Sequence, residues 1–175
     1  MNKNDLAVFT LFDFLYLLAA CFAASLFGFL AVWGVNLFVE VSFAVKAAVR
    51  GVILAGGTMA VCGFLAYRDG YRYAAFSLKD SLLSAGIAAV AHFGLGLATR
   101  FAPLFFGATR YLSGLFAFGG YFEAERIKRI PLGTLALVGA ILALAYVGVF
   151  VLCGKLGCAH RLRDREETVT GAKPQ

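Results

Sequence analysis

The sequence predicts an all-α fold: a polytopic transmembrane helix bundle of four spans plus one re-entrant or interfacial helix, with five spans as the alternative. Three observations predict it. The 175 residues are 61% hydrophobic and only 15% charged, against roughly 45–50% apolar and about 25% charged in soluble domains. The apolar residues are segregated into long runs rather than scattered. The charges gather at the ends of those runs, where Lys and Arg meet lipid headgroups. The bundle is expected to occupy residues 1–159 as one domain, with a polar C-terminal tail over 160–175.

A spanning helix needs about 20 mostly apolar residues. Between Asp13 and Glu40 lie 26 uncharged residues, 14–39, which form the first span; Trp33 and Asn36 suit its interfacial end. Leu18-Ala19-Ala20-Cys21 resembles a lipoprotein cleavage box. However, Asp13 interrupts the preceding apolar stretch and hydrophobicity continues far past Cys21, so a spanning helix is the better reading. The second span, 43–67, begins near Phe43, with Lys46 and Arg50 snorkelling to headgroups. The third, 81–99, is bounded by Asp80 and Arg100. The last, 130–154, carries Pro131 where a first helical turn accepts it. Residues 101–122 are aromatic and apolar but hold Arg110 at their centre, Pro103 near the start and Gly119-Gly120 near the end. A central Arg costs about 2.5–3.5 kcal/mol on insertion, which favours a re-entrant or interfacial helix.

Four spans place both termini on one side. The cytoplasmic assignment puts nine Lys and Arg inside (Lys3, Arg68, Arg72, Lys79, Lys155, Arg161, Arg163, Arg165 and Lys173) and seven outside, so the positive-inside rule leans toward cytoplasmic termini. The tail from His160 is polar; its start is expected to extend the last helix and its end to be disordered. The expected partners are the bilayer and its anionic headgroups, together with a membrane protein partner or further copies of the chain. The net charge of +6 does not point to nucleic acid, because no basic, aromatic-rich soluble surface is available.

Helix association in lipid relies on small residues that let backbones approach. Gly56, Ala60 and Gly63 offer this in the second span, Gly86, Gly94, Gly96 and Ala98 in the third, and Gly133, Ala136, Gly139, Ala140 and Ala143 in the last. Cys21, Cys62 and Cys153 lie in apolar runs, where Cys acts as a small hydrophobe. Cys153 and Cys158 do not have the spacing of a redox or zinc pair.

The candidate site for a solute or proton is Asp13, His92 and Arg110, since ionisable groups at membrane depth are functional suspects. Set against that are simpler roles. Asp13 is level with Arg68 and Arg72 if the first two spans are antiparallel, so an ion pair is expected. His92 reads as a hydrogen-bonded packing residue, there being no second ligand at metal spacing. Arg110 reads as a residue facing headgroups. The candidate headgroup or anion site is Lys46, Arg50, Arg68 and Arg72. Lys46 and Arg50 share a helix face, with Glu40 nearby for a local salt bridge. Tyr67 to Tyr73 interleaves aromatics with bases around an Asp69-Gly70 turn signal and reads as an interfacial loop.

Glycine phosphate loops, nucleophile elbows and paired intramembrane aspartates are absent from the sequence. No cofactor or metal is indicated, and no motif is specific enough to identify a family. The expectation is a non-enzymatic membrane protein, acting as a subunit of an assembly or a homo-oligomer. A small transporter or channel for an ion or solute is the alternative, and a lipid-modifying enzyme the weaker one.

Overall fold

The computed structural model describes residues 3–40, 42–73, 77–101 and 131–171. Every regular element among them is helical: α1 (Lys3–Asn36), α2 (Phe43–Tyr73), α3 (Leu78–Phe101) and α4 (Leu132–Gly171). The residues 101–122 that raise the question of a fifth crossing, Arg110 with them, lie outside the described residues except for Phe101 at the end of α3.

The helix starts follow from local chemistry. Ser42 precedes α2 and accepts at its side chain from the Val45 N–H (3.5 Å), while its carbonyl takes the Lys46 N–H (3.0 Å). Ser77 does the same for α3, with the Asp80 N–H on its hydroxyl (3.4 Å) and the Ser81 N–H on its carbonyl (2.9 Å). These are N-cap arrangements that satisfy otherwise orphaned donors. Pro131, which has no N–H to lose, stands just before α4 and takes the Leu135 N–H on its carbonyl at 3.2 Å. Gly34 accepts from the Leu37 N–H in a tightened last turn as α1 ends.

One sequence expectation is corrected. Tyr67 to Tyr73 is not a loop: α2 runs helically through Asp69-Gly70 to Tyr73, where the neighbouring helix supplies contacts that override the local turn signal. The start of the polar tail extends α4, as expected, from His160 through Gly171; residues 172–175 lie outside the described residues.

The helices form a closed ring in which α1 touches α2 and α3, and α4 touches α2 and α3. The pairwise contacts set the directions. Tyr16 meets Arg68, Cys21 meets Thr58, Ala24 meets Gly57 and Phe29 meets Arg50, so α1 and α2 are antiparallel. Asp13 meets Ser84 and Cys21 meets His92, each 71 residues apart, so α1 and α3 are parallel and in register. Tyr67 meets His160 and Tyr71 meets Asp164, each 93 residues apart, so α2 and α4 are also parallel. It follows that α3 ends and α4 begins at the same end of the bundle.

Three helices, Asp5–Asn36, Phe43–Tyr73 and Leu132–Thr168, are long and apolar enough to cross a membrane. α3, whose described side chains stop at Gly96, is not among them. The outer faces are apolar: Phe27, Phe64, Val90 and Leu144 are each about two-thirds or more exposed. Hydrocarbon suits such a surface and water does not. α4, at 40 residues, is about 60 Å long, twice the roughly 30 Å of a hydrocarbon core, and its charged last turns extend beyond it.

The interior is lined by narrow residues. Leu17, Ala20, Cys21, Cys62, Ala85, Ala89 and Tyr146 cluster at its centre. The tightest seam lies between α2 and α4. A methyl group added at Gly157 would overlap the backbone of Tyr67 and Tyr71, and one at Gly70 would overlap the Gly154 backbone. At Gly63 it would crowd Val149 and Cys153 at 3.1 and 3.2 Å. This is the close approach that glycine permits between membrane helices.

Candidate functional site

The polar residues of the bundle interior are built from four stripes of helical spacing. α1 buries Asp13, Leu17, Ala20, Cys21 and Ala24. α2 buries every fourth residue, Leu54, Thr58, Cys62 and Ala66. α3 contributes Ser84, Ala85, Ala88, Ala89 and His92, and α4 contributes Tyr146. Each stripe is one helix face, and together they converge on a shared axis.

Asp13 is 6% exposed and its carboxylate accepts a hydrogen bond from the Ser84 hydroxyl. The expected ion pair with Arg68 or Arg72 does not form. The Arg68 guanidinium donates instead to its neighbour Asp69 at 2.9 and 3.1 Å and to the Tyr16 hydroxyl at 3.3 Å. Arg72 lies over the ring of Tyr73, 5.7 Å from its centroid. The reason is positional: both arginines face outward at the rim, where they reach neighbouring rim groups and headgroup level, whereas Asp13 points inward toward α3. A buried carboxylate is normally matched by a base or several donors; this one has a hydroxyl.

Two turns deeper, Cys21 links three helices. Its Sγ accepts from the Thr58 hydroxyl at 3.7 Å and lies 3.6 Å from His92 Nε2, long contacts appropriate to sulfur. His92 is fully buried, with the Phe14 ring edge-on to it at 6.4 Å between centroids. Cys62 on α2 and Tyr146 on α4 cluster with Cys21 at the centre of the bundle. The Tyr146 hydroxyl is buried, and no protein group among the described residues meets it. An unmet buried hydroxyl costs about 1–3 kcal/mol, so its retention needs a reason.

His92 and Asp13 from the candidate set are thus brought to one interior, on the same pair of helices. Ser84, Thr58, Cys21, Cys62 and Tyr146 complete it and were not singled out in the sequence for this purpose. Their signal was present as spacing: small or polar residues at every fourth place of α2 from Thr58 through Cys62 to Ala66.

The candidate headgroup residues do not assemble into one site. Lys46 and Arg50 sit at the opposite end of α2 from Arg68 and Arg72. Arg50 lies over the Phe29 ring of α1, 5.4 Å from its centroid, a cation–π contact. The local salt bridge with Glu40 is not formed; ion pairs among the described residues include Arg68–Asp69 and Arg163–Glu167.

At the rim, α2 and α4 enclose a shallow groove of about 590 Å3 lined by Tyr67, Tyr71, His160, Arg163, Asp164 and Glu167. Tyr67 and His160 share a hydrogen bond at 2.9 Å, and the Tyr71 hydroxyl donates to Asp164 at 2.8 Å. Arg161 lies over the Tyr71 ring at 5.4 Å. These contacts tie the aqueous end of α4 to α2.

All four cysteines are free thiols, and no three His, Cys, Asp or Glu side chains among the described residues group as metal ligands. Comparison with known proteins finds no matching family model, no matching curated protein and no matching solved structure.

Proposed function

We propose that this is a four-span membrane protein that moves an ion or small solute through the interior of its helix bundle, with Asp13 as the group that receives it. The observation that carries this reading is the buried Asp13 carboxylate bonded to Ser84 rather than to a base. A carboxylate retained for structure would be neutralised by the arginines one or two turns away. Left with a hydroxyl, it remains able to exchange a proton or hold a cation, as intramembrane acids of transporters do.

The four-span reading is supported by the helix directions. α3 is hydrogen-bonded to α1 at two levels and runs alongside it, and its uncharged stretch 81–99 is 19 residues, long enough to cross. α3 ends where α4 begins, which favours an even number of crossings over five. Both termini then share a side, and the basic tail favours the cytoplasmic one.

A second reading, the assembly subunit or homo-oligomer, draws on the outer face of α2, where Gly56 has open space around it and Val52, Ala60 and Phe64 are exposed. The inner glycines, in contrast, are already occupied by contacts within the bundle. Reconstitution in proteoliposomes distinguishes the two. Transport predicts ion or solute flux above empty vesicles that Asp13→Asn reduces about tenfold or more while the protein stays monodisperse. Absence of any flux, with a partner retained by the wild type and lost in Gly56→Leu, would overturn it in favour of the assembly.

A further inference from the structure

The chemistry of the interior points to the cargo. We propose that the species carried is the proton, relayed from Asp13 toward His92 through the Tyr146 hydroxyl and bound water. This rests on the transport reading above and gives its substrate class.

Every polar side chain named in the interior holds an exchangeable proton: the Asp13 carboxyl, the Ser84, Thr58 and Tyr146 hydroxyls, the Cys21 and Cys62 thiols, and the His92 imidazole. Each can release one proton and take another. A dehydrated hard cation needs about six oxygen ligands, and Asp13 is the only carboxylate among these groups. Metal-ligating side chains do not group in threes among the described residues.

The spacing selects Tyr146. The Asp13–Ser84 and Cys21–His92 contacts are eight residues apart on both α1 and α3, a separation of about 12 Å along the axis, too far for a direct hop. Tyr146 comes from α4 and clusters with Leu17 and Ala20 of α1 and with Ala85 and Ala89 of α3, residues that lie between the two levels. It is 1% exposed, and its hydroxyl has no protein partner. Five of the six buried residues clustered with it are Ala or Cys, with Phe93 and Phe150 packed against them; none of these side chains meets the hydroxyl. Buried hydroxyls find partners, and a site with several polar groups is where an ordered water is held. The proposed relay places a water on Tyr146 to join the two levels.

The relay balances without any co-reactant. A protonated Asp13 gives its proton to Ser84 or to water, and the acceptor passes on its own. Water and the Tyr146 hydroxyl repeat the exchange, each receiving one proton and releasing one. His92 accepts at one ring nitrogen and releases from the other. The groups bearing on this path are Tyr16 and Asp13 on α1, Arg68, Asp69 and Cys62 on α2, Ser84 and His92 on α3, and Tyr146 on α4. Arg68 and Asp69 neutralise one another at the mouth.

The test uses the full chain in proteoliposomes enclosing a pH-sensitive dye, with the membrane potential clamped and sodium and potassium flux followed in parallel. Expected results are acidification driven by a proton gradient, its loss in Asp13→Asn, and a fall of about tenfold or more in Tyr146→Phe. Replacement of Tyr146 by difluorotyrosine is nearly isosteric, so it covers the case in which the Phe variant fails to fold. Its more acidic hydroxyl should move the flux–pH profile to lower pH. Asp13-dependent flux of sodium or potassium without acidification overturns the proton as cargo but leaves the transport reading standing. Proton flux that is lost in Asp13→Asn but unchanged in both Tyr146 variants overturns the relay alone. No flux of any kind overturns both.

Discussion

The bundle contains two parallel helix pairs, and they are joined by opposite means. α2 and α4 meet backbone to backbone at Gly70, Gly154 and Gly157, and Gly63 takes the Val149 and Cys153 side chains, with aromatic hydrogen bonds confined to the rim. α1 and α3 meet through buried side chains, Asp13 to Ser84 and Cys21 to His92. Both pairs hold a fixed register. The glycine seam holds it by shape, through the close approach of the two helices. The polar seam holds it through groups that exchange protons and are expensive to bury. A membrane protein built only for stability would use the first kind twice, so the proposed transport is assigned to the second.

The comparison breaks most sharply at Gly157. Gly157→Leu places a side chain where the Tyr67 and Tyr71 backbones already lie, and overpacking of this kind costs about 3 kcal/mol. The variant should lose its monodisperse peak in mild detergent and unfold at markedly lower denaturant. A Gly157→Leu protein as stable as the wild type would mean that the seam is not close-packed.

The polar seam responds differently to shape and to chemistry. Asp13→Leu leaves the Ser84 hydroxyl buried without its acceptor and should destabilise by about 1–3 kcal/mol. Asp13→Asn keeps an acceptor there, so its unfolding midpoint should stay close to wild type although transport is lost. Equal destabilisation by both would make Asp13 a structural carboxylate after all.

Smaller effects sharpen the contrast. Ser84→Ala removes one buried interhelical hydrogen bond, a loss of about 0.6 kcal/mol by the average for membrane helices, measurable by reversible unfolding in bicelles. Tyr71→Phe removes the rim bond to Asp164, where water can substitute, and should shift stability by less than about 0.5 kcal/mol. At the bottom of the scale, Gly56→Leu fills open space on the outer face and should leave the unfolding of the single chain unchanged. A large loss there would show that the outer glycine is also a packing residue.

Much of the scaffold was legible in the residues. The start of α2 at Phe43 and of α4 just after Pro131 follow from capping and proline chemistry, and the uncharged runs set helix positions. The far end of α2 was not legible. Asp69-Gly70 carries a strong turn signal, and only the Gly154 backbone opposite explains why Gly70 belongs inside a helix. Asp13 and His92 stood out as ionisable groups in apolar runs, but their common neighbourhood depends on the 71-residue register between α1 and α3, which no local pattern contains. Tyr146 looked like one more aromatic in a greasy span. Its isolation is a property of what surrounds it, the small residues of three other helices. The arginine pairing of Asp13 failed for a related reason: matching depth along two helices says nothing about which way each side chain turns.

The length of α4 has a practical use. Its last turns carry Arg161, Arg163 and Arg165 clear of the hydrocarbon, so they form a cleavable handle on one face of a sealed vesicle. Trypsin added to inside-out vesicles should clip there, while right-side-out vesicles should protect it. The two digestion patterns therefore assign which compartment each end of the bundle faces.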